Sequence, residues 1–533
     1  MRLPPNRILI LLFTAFALVW AVFLTIDYIN KHPFYYYGVK YFKYKSLILL
    51  PALLCVGLLI IKKVSLNKAF TKYLLSSAGF FVLFLICLIG IGLASFEYAN
   101  IEYHTYYLQQ FVLQNLASLT FLFVFSFIAY LYGDKILKTH DEWLVKLGLG
   151  IVIISTVLFF LGAFGFINKL SVSILLLLSL AINYRSIWPT LKVITKAHIE
   201  LSQVNLIGIV SLVFGIFFLT INFSSAQLPF PIGFDSRNFY INLSSLIADN
   251  NKLMIGFRPY NWELLMSIGQ VLFNDIAYVL SFSFYGFIIS CLAVHRIVTH
   301  YLKLDINKSF FLVFLISMVP SIVNELSVEL KTDFGLLFFQ LLSIILLFKI
   351  FKQNIFTPYF VDDVPFKKIN QSLIINIALL GLCLGFGNTI KLTNLFLVFS
   401  IVILLVWMYS DRLNLLAILF ITLGMFILLK FDDVSGLRFS HLSADVLKIV
   451  FLITGLMLLG LGYLKEKTKT LKLYTVLALL TIFTAIPLVP WVVKNYIETK
   501  SLSIDALING KQPGPNLNAR TIIDNYELQR DDK

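Results

Sequence analysis

Apolar residues fall along the chain in blocks of about 20, the length that crosses a hydrocarbon layer as helix. Leu9 to Ile29, Tyr73 to Leu93 and Leu144 to Phe166 are three such blocks. None alternates with the period of two that marks a membrane barrel strand, and inside lipid every backbone amide needs an internal partner, so the blocks predict helices. A window of about 19 residues places about fifteen spans. Their centres lie near Ala17, Leu53, Leu83, Phe121, Ser155, Leu176, Leu212, Phe284, Ile316, Leu342, Leu380, Ile401, Leu419, Leu456 and Thr481. The expected fold class is all-α, a polytopic transmembrane helical protein.

Composition agrees with the pattern. Hydrophobic residues make up 59% and charged residues 13%, with mean hydropathy +0.87, against about 25% charged residues in a soluble chain. A soluble domain of any size is excluded. The first block, after Met1 to Arg7, is longer than a secretory h-region and has no small-residue cleavage site before Asn30-Lys31-His32, which predicts a retained first span. Cys55, Cys87, Cys291 and Cys383 sit inside apolar runs, where a small buried hydrophobe explains them; they predict neither a disulfide framework nor a metal site.

Charge sets an expected orientation. With a cytoplasmic N-terminus, the inner loops carry Lys62, Lys63, Lys68 and Lys72, then Lys135, Lys138 and Lys146, then Arg185, Lys192 and Lys196. Arg296, Lys303, Lys308, Lys349, Lys352, Lys367, Lys368 and the Lys465 to Lys472 run continue that series, while Lys31, Lys40, Lys43 and Lys45 go against it. The bias predicts an inner N-terminus and an external C-terminus. It also explains much of the +15 net charge, so nucleic acid is not expected as a partner.

The longest non-membrane loop, Phe223 to Asp275, falls on the external side. It contains Pro231-Ile232-Gly233-Phe234-Asp235-Ser236-Arg237-Asn238-Phe239-Tyr240 and later Arg258-Pro259-Tyr260-Asn261-Trp262-Glu263. After Asp235, Phe239, Leu243, Leu246 and Ile247 recur at helical spacing with polar residues between them, which predicts an amphipathic helix in the interface plane.

This order of features resembles the GT-C superfamily of polytopic membrane glycosyltransferases, which includes protein O-mannosyltransferases and lipid A aminoarabinose transferases. The Pro231 to Asp235 stretch with Tyr240 is similar to the family's first acidic loop, and the Pro259-Tyr260-Asn261 turn fits the start of its next helix. Val319-Pro320, followed by Glu329 to Leu337 with Asp333, resembles its second acidic site. Gly381 to Thr393, with Lys391, resembles a Gly-rich span end, and Pro490-Trp491-Val492-Val493-Lys494-Asn495-Tyr496 its last core span. The likeness divides the chain into an N-terminal six-span membrane bundle (1–200), a GT-C-like catalytic core (201–496) and a short external tail (497–533). The six preceding spans and the missing soluble C-terminal domain depart from the family.

The resemblance implies transfer of a sugar from a polyprenyl-phosphate-linked donor to a glycan, lipid or protein acceptor on the external face. The Phe-, Ile- and Lys-rich composition with this motif order suggests a bacterial inner membrane. Asp235 takes the role of the base for the acceptor hydroxyl, with Asp333 on the same cavity. Arg237, Arg258, Lys391 and Lys494 are the candidates for neutralising the departing phosphate; Tyr240, Tyr260, Asn261 and His441 are candidates for the acceptor or its loop. No cofactor is specified. Acidic external loops suit a hard divalent cation, but their spacing names no metal set.

Each residue also has a simpler reading: Asp235 as a helix cap, Lys391 and Lys494 as interfacial anchors, Glu325 and Glu329 as solvated loop charges, His441 as part of a surface loop. No phosphate-binding Gly-rich loop, His-Glu-x-x-His or Cys-x-x-Cys occurs. The alternatives from other classes are a transporter or flippase of a lipid-linked glycan, a surface-polysaccharide polymerase or ligase, and a non-catalytic scaffold.

Overall fold

A helix that is apolar on every face is stable only where lipid or other helices cover it, and the chain is built from such helices. The computed structural model describes residues 45–64, 76–98, 104–138, 140–196, 199, 203–226, 240–254, 258–329, 331–352, 371–429, 441–502 and 506–507. Among these there is no strand. The helices are α1 (Lys45–Val64), α2 (Ser77–Tyr98), α3 (His104–Ile136), α4 (Trp143–Ala163), α5 (Lys169–Ile182), α6 (Tyr184–Lys196) and α7 (Leu206–Ala226). They continue with α8 (Ile241–Asn250), α9 (Asn261–Phe273), α10 (Ile276–Arg296), α11 (Ile306–Ser317), α12 (Pro320–Asn324), α13 (Asp333–Lys352) and α14 (Gln371–Ile390). The last are α15 (Leu395–Tyr409), α16 (Arg412–Leu428), α17 (His441–Lys465), α18 (Lys467–Ala485) and α19 (Val489–Thr499). Glu325 and Glu329 bound a π-helical turn after α12 rather than an irregular loop.

Among the described residues, eight helices are long and apolar enough to cross a membrane, or up to ten if the pairs α5 with α6 and Thr470–Ala485 with α19 each count as one span. Four more apolar stretches are shorter, Leu50–Lys62, Gly79–Leu93, Ile306–Ser317 and Arg412–Leu428. Every expected centre from Leu53 to Thr481 thus falls in an apolar helix, but eight to ten of these helices, rather than fifteen, have the full length. The centre at Ala17 lies outside the described residues.

The chain separates into two compact units, each discontinuous in sequence. The first comprises 1–124, 184–241 and 275–331, the second 125–183, 242–274 and 332–533. These cuts differ from the division at 200 and 496 drawn from the sequence.

In the first unit α1 and α2 run antiparallel, so that Gly90 lies against Leu50. Cys55 and Leu58 pack with Val204, Ile209 and Val213, and Cys87 packs with Ile91 and Phe217, as small hydrophobes. All four cysteines are buried and free. Polar side chains tie the helix ends at one rim: Lys62 Nζ donates to the Val204 carbonyl, and the Asn205 N–H donates to Asn307 Oδ1 at 2.8 Å. At the start of α10, Asp275 caps Ala277 and accepts from Gln114 Nε2 at 3.0 Å.

In the second unit, small residues let backbones approach. A Cβ on Gly133 would strike the Lys146 carbonyl, and one on Gly150 the Ala129 carbonyl, which locks the C-terminal half of α3 against α4. Gly381 and Gly385 of α14 meet Phe483 and Thr484 of α18 in the same way. Two ends of this unit are chemically distinct. One gathers Asp134 with Lys146 at 2.7 Å, His140 and Asp141 around Lys349, and Asp411 with Lys465 at 3.4 Å. The other gathers the end of α4, the start of α9, the start of α13, the end of α14 and α19.

The helix expected after Asp235 exists as α8, with Leu243, Leu246 and Ile247 buried and Asp249 exposed. Its apolar face is covered by protein. The amphipathic pattern specifies a covered face; it does not say whether lipid or protein covers it.

Candidate functional site

The second end of the second unit is organised around α9. Tyr260 occupies the cap position just before the helix, and its hydroxyl accepts the Met254 N–H at 2.7 Å. Asn261, 5% exposed, is a hub. Its Nδ2 donates to Thr389 Oγ1 at 2.7 Å on α14, its Oδ1 accepts from Trp491 Nε1 at 3.1 Å on α19, and its carbonyl accepts from Ser155 Oγ at 3.4 Å on α4. The ring of Tyr260 packs edge-on against Trp491, centroids 4.5 Å apart. Trp262 lies on Gly335 of α13, where any Cβ would run into the indole. Helix α9 is thereby pinned to α4, α13, α14 and α19 at once.

That pinning buries the next side chain. Glu263 is 1% exposed. Burial pushes its carboxyl up to about 7; Arg258 and then Lys391 oppose the shift, and Asp333 adds to it. Asp333, the first residue of α13, binds Lys391 Nζ through Oδ1 at 2.6 Å. Lys391 stands in extended backbone just past the end of α14, where its N–H returns to the Gly387 carbonyl at 3.0 Å. Asn394 folds back to donate to the Leu384 carbonyl at 2.8 Å and accepts from Gln340 at 3.2 Å, so the break between α14 and α15 is held rigidly.

Several polar atoms here are buried with no hydrogen-bond partner: Glu263 Oε2, Asp333 Oδ2, and both side-chain polar atoms of Asn388. Each such group costs roughly 1–3 kcal/mol when nothing completes it, and a ligand or water at this end would supply the partner. Two carboxyls, a lysine, an arginine and an amide within this end can bind hydroxyls and an anion, and can hold or release a proton near neutrality.

The sequence-derived candidates distribute as follows. Asp333, Lys391, Arg258, Tyr260 and Asn261 belong to this end. Lys494 lies on α19, bound to Glu498 at 2.9 Å and 5.8 Å from the centre of the Trp491 ring. Tyr260 and Asn261 are buried and engaged in holding helices together, which leaves them little to offer an acceptor. Tyr240 is buried in the first unit. Asp235 and Arg237 lie outside the described residues, and His441 opens α17. Among the described residues no group of three or more His, Cys, Asp or Glu is placed to hold a metal ion.

Glu263 and Asn388 were not singled out by the sequence. The available signal for Glu263 was its place inside an apolar run, Trp262-Glu263-Leu264-Leu265, in the first turn of a helix. The chain matches no family model, no curated protein and no solved structure.

Proposed function

We propose that the chain is a membrane glycosyltransferase that moves a sugar from a polyprenyl-phosphate-linked donor to an acceptor at the external face. The observation that carries this reading is the group of Glu263, Asp333, Lys391 and Asn388. It combines unpartnered buried acceptors and donors, suited to sugar hydroxyls, with a carboxyl titrating near 7 and cations suited to a phosphate.

In this reading the acceptor oxygen attacks the anomeric carbon as the bond to the donor phosphate breaks. The acceptor's proton passes to a carboxylate, and the charge left on the lipid phosphate is met by Arg258 and Lys391. Asp235 remains the base implied by the sequence resemblance, and Glu263 is a second group able to exchange a proton at neutral pH.

External placement is supported by the distribution of cations in the second unit. The end opposite the site carries nine cations, Lys135, Lys138, Lys146, Lys349, Lys352, Arg412, Lys465, Lys467 and Lys472, against Lys169, Lys252, Arg258, Lys391 and Lys494 at the site end. The fifteen-span count, with an inner N-terminus and an outer C-terminus in a bacterial inner membrane, belongs to the same proposal. So does the 1–200, 201–496 and 497–533 division.

A second reading, a transporter of a lipid-linked glycan, has one observation in its favour: the 57° break between Thr470–Ala485 and α19, since broken helices line many transport pathways. Purified protein in proteoliposomes with polyprenyl-phosphate sugars separates the two. Transfer that drops about 100-fold in Asp333→Asn and Glu263→Gln, the usual scale for a positioned acid or base, with thermal midpoints not lowered, is the expected result. Parental transfer in both variants overturns the site. Glycan movement across the bilayer without covalent transfer favours the transporter.

A further inference from the structure

Helix α6, Tyr-Arg-Ser-Ile-Trp-Pro-Thr-Leu-Lys-Val-Ile-Thr-Lys, has three cations and no acid. None of its residues is fully buried. At about 1.5 Å per residue its 13 residues extend roughly 20 Å, short of the roughly 30 Å hydrocarbon core. Pro189 in its interior removes the hydrogen bond to the Arg185 carbonyl, and a freed carbonyl belongs at a hydrated level rather than in lipid tails.

The first unit holds α6 at such a level. Ser77 Oγ, at the first residue of α2, donates to the Ile194 carbonyl at 2.9 Å. Lys62, near the end of α1, reaches the Val204 carbonyl just before α7, and Asn205 bonds Asn307 in the first turn of α11. These contacts place the end of α1 and the starts of α2, α7 and α11 at one rim, and α6 is fastened to it.

The faces of α6 differ, with Val193 70% exposed beyond the basic side. Ile187, Leu191 and Ile194 are half-buried at i, i+4, i+7 spacing, whereas Tyr184 and Trp188 are 62% and 66% exposed. Exposed Arg185 lies over the Tyr184 ring at 5.6 Å and exposed Lys192 over the Trp188 ring at 6.0 Å, with Lys196 one turn further on the basic side. Aromatic rings with cations beside them, at the rim of a set of apolar helices, match the chemistry of the headgroup layer: rings at the carbonyl level, cations on phosphate.

We propose that α6 lies flat at the membrane surface and binds anionic phospholipid headgroups, through Arg185, Lys192 and Lys196, with Trp188 inserted among the acyl carbonyls.

The test uses the full chain in vesicles of phosphatidylcholine containing the same series of mole fractions of either acyl-brominated phosphatidylglycerol or acyl-brominated phosphatidylcholine. The signal of Trp188 is the fluorescence of the parent minus that of Trp188→Phe. Brominated phosphatidylglycerol is expected to quench it at several-fold lower mole fraction, since one basic side chain at an anionic surface is worth roughly a fivefold preference. The preference should vanish in the triple variant Arg185→Gln/Lys192→Gln/Lys196→Gln. It should also vanish for the parent protein at about 1 M salt, where the screening length is about 3 Å. Equal quenching by the two headgroups overturns headgroup binding. Absence of Trp188 quenching by either lipid overturns the membrane placement and assigns this face to a protein partner.

Discussion

Glu263 is held where water does not reach it, and its ionisation is therefore coupled to folding. The folded carboxyl keeps its proton up to about 7, whereas the unfolded chain loses it near the ordinary 4.5. Folding takes up a proton between those values. The stabilisation is complete below about 4.5 and is lost as pH rises through about 7, a swing of about 3 kcal/mol at 1.36 kcal/mol per unit. Thermal unfolding in detergent should show a midpoint that falls between pH 5 and pH 8, and Glu263→Gln should flatten that fall. An unchanged slope in the variant would show that the dependence arises elsewhere. Asp235→Asn preserves shape and capping ability, so transfer should drop about 100-fold with no change in midpoint if Asp235 is the base. A parental rate would leave it as a helix cap.

At the scale of elements, the start of α9 is the joint on which the site depends. Asn261→Ala removes both side-chain bonds to Thr389 and Trp491 and leaves their buried partners short of a hydrogen bond. A loss of about 2–6 kcal/mol is expected, at roughly 1–3 kcal/mol for each of the two groups stranded. Gly335→Leu drives a side chain into the Trp262 indole and should shift α13 away from α9, which moves Asp333. Its effect should appear as lost transfer together with a lowered midpoint, whereas Asp333→Asn lowers transfer alone. The sequence made parts of this joint legible. The resemblance implied a helix start at Pro259-Tyr260-Asn261, and α9 begins there. Lys391 between two apolar blocks marked the break of α14 and α15. What could not be read was which start meets which break: Asn261 and Thr389 are 128 residues apart, and no local pattern encodes their 2.7 Å contact.

For the whole molecule, the topology is open to a direct measurement. The four native cysteines are buried, so single cysteines introduced at Lys252 and Lys138 report the two ends of the second unit with little background. An impermeant thiol reagent on intact cells should label Lys252→Cys and spare Lys138→Cys; the reverse pattern would put the site in the cytoplasm and remove the proposed external reaction.

The sequence by itself determined that the chain is helical and belongs in a membrane. Blocks of about 20 apolar residues with unpaired backbone groups have one solution in lipid, and that solution is local, formed by residues four apart. It also determined where the helices fall, from Leu53 to Thr481, because hydropathy is summed over neighbours in the chain. Only the tertiary structure decided that α8 is covered by protein, that Asn261 joins three other helices, and that Glu263, Asp333, Lys391 and Asn388 share one end of one unit. Burial and ion pairing are set by residues distant in sequence. A carboxylate in an apolar run looks the same in the sequence whether it meets a lysine, as Asp333 does, or is sealed among buried neighbours with an oxygen left unpaired, as Glu263 is.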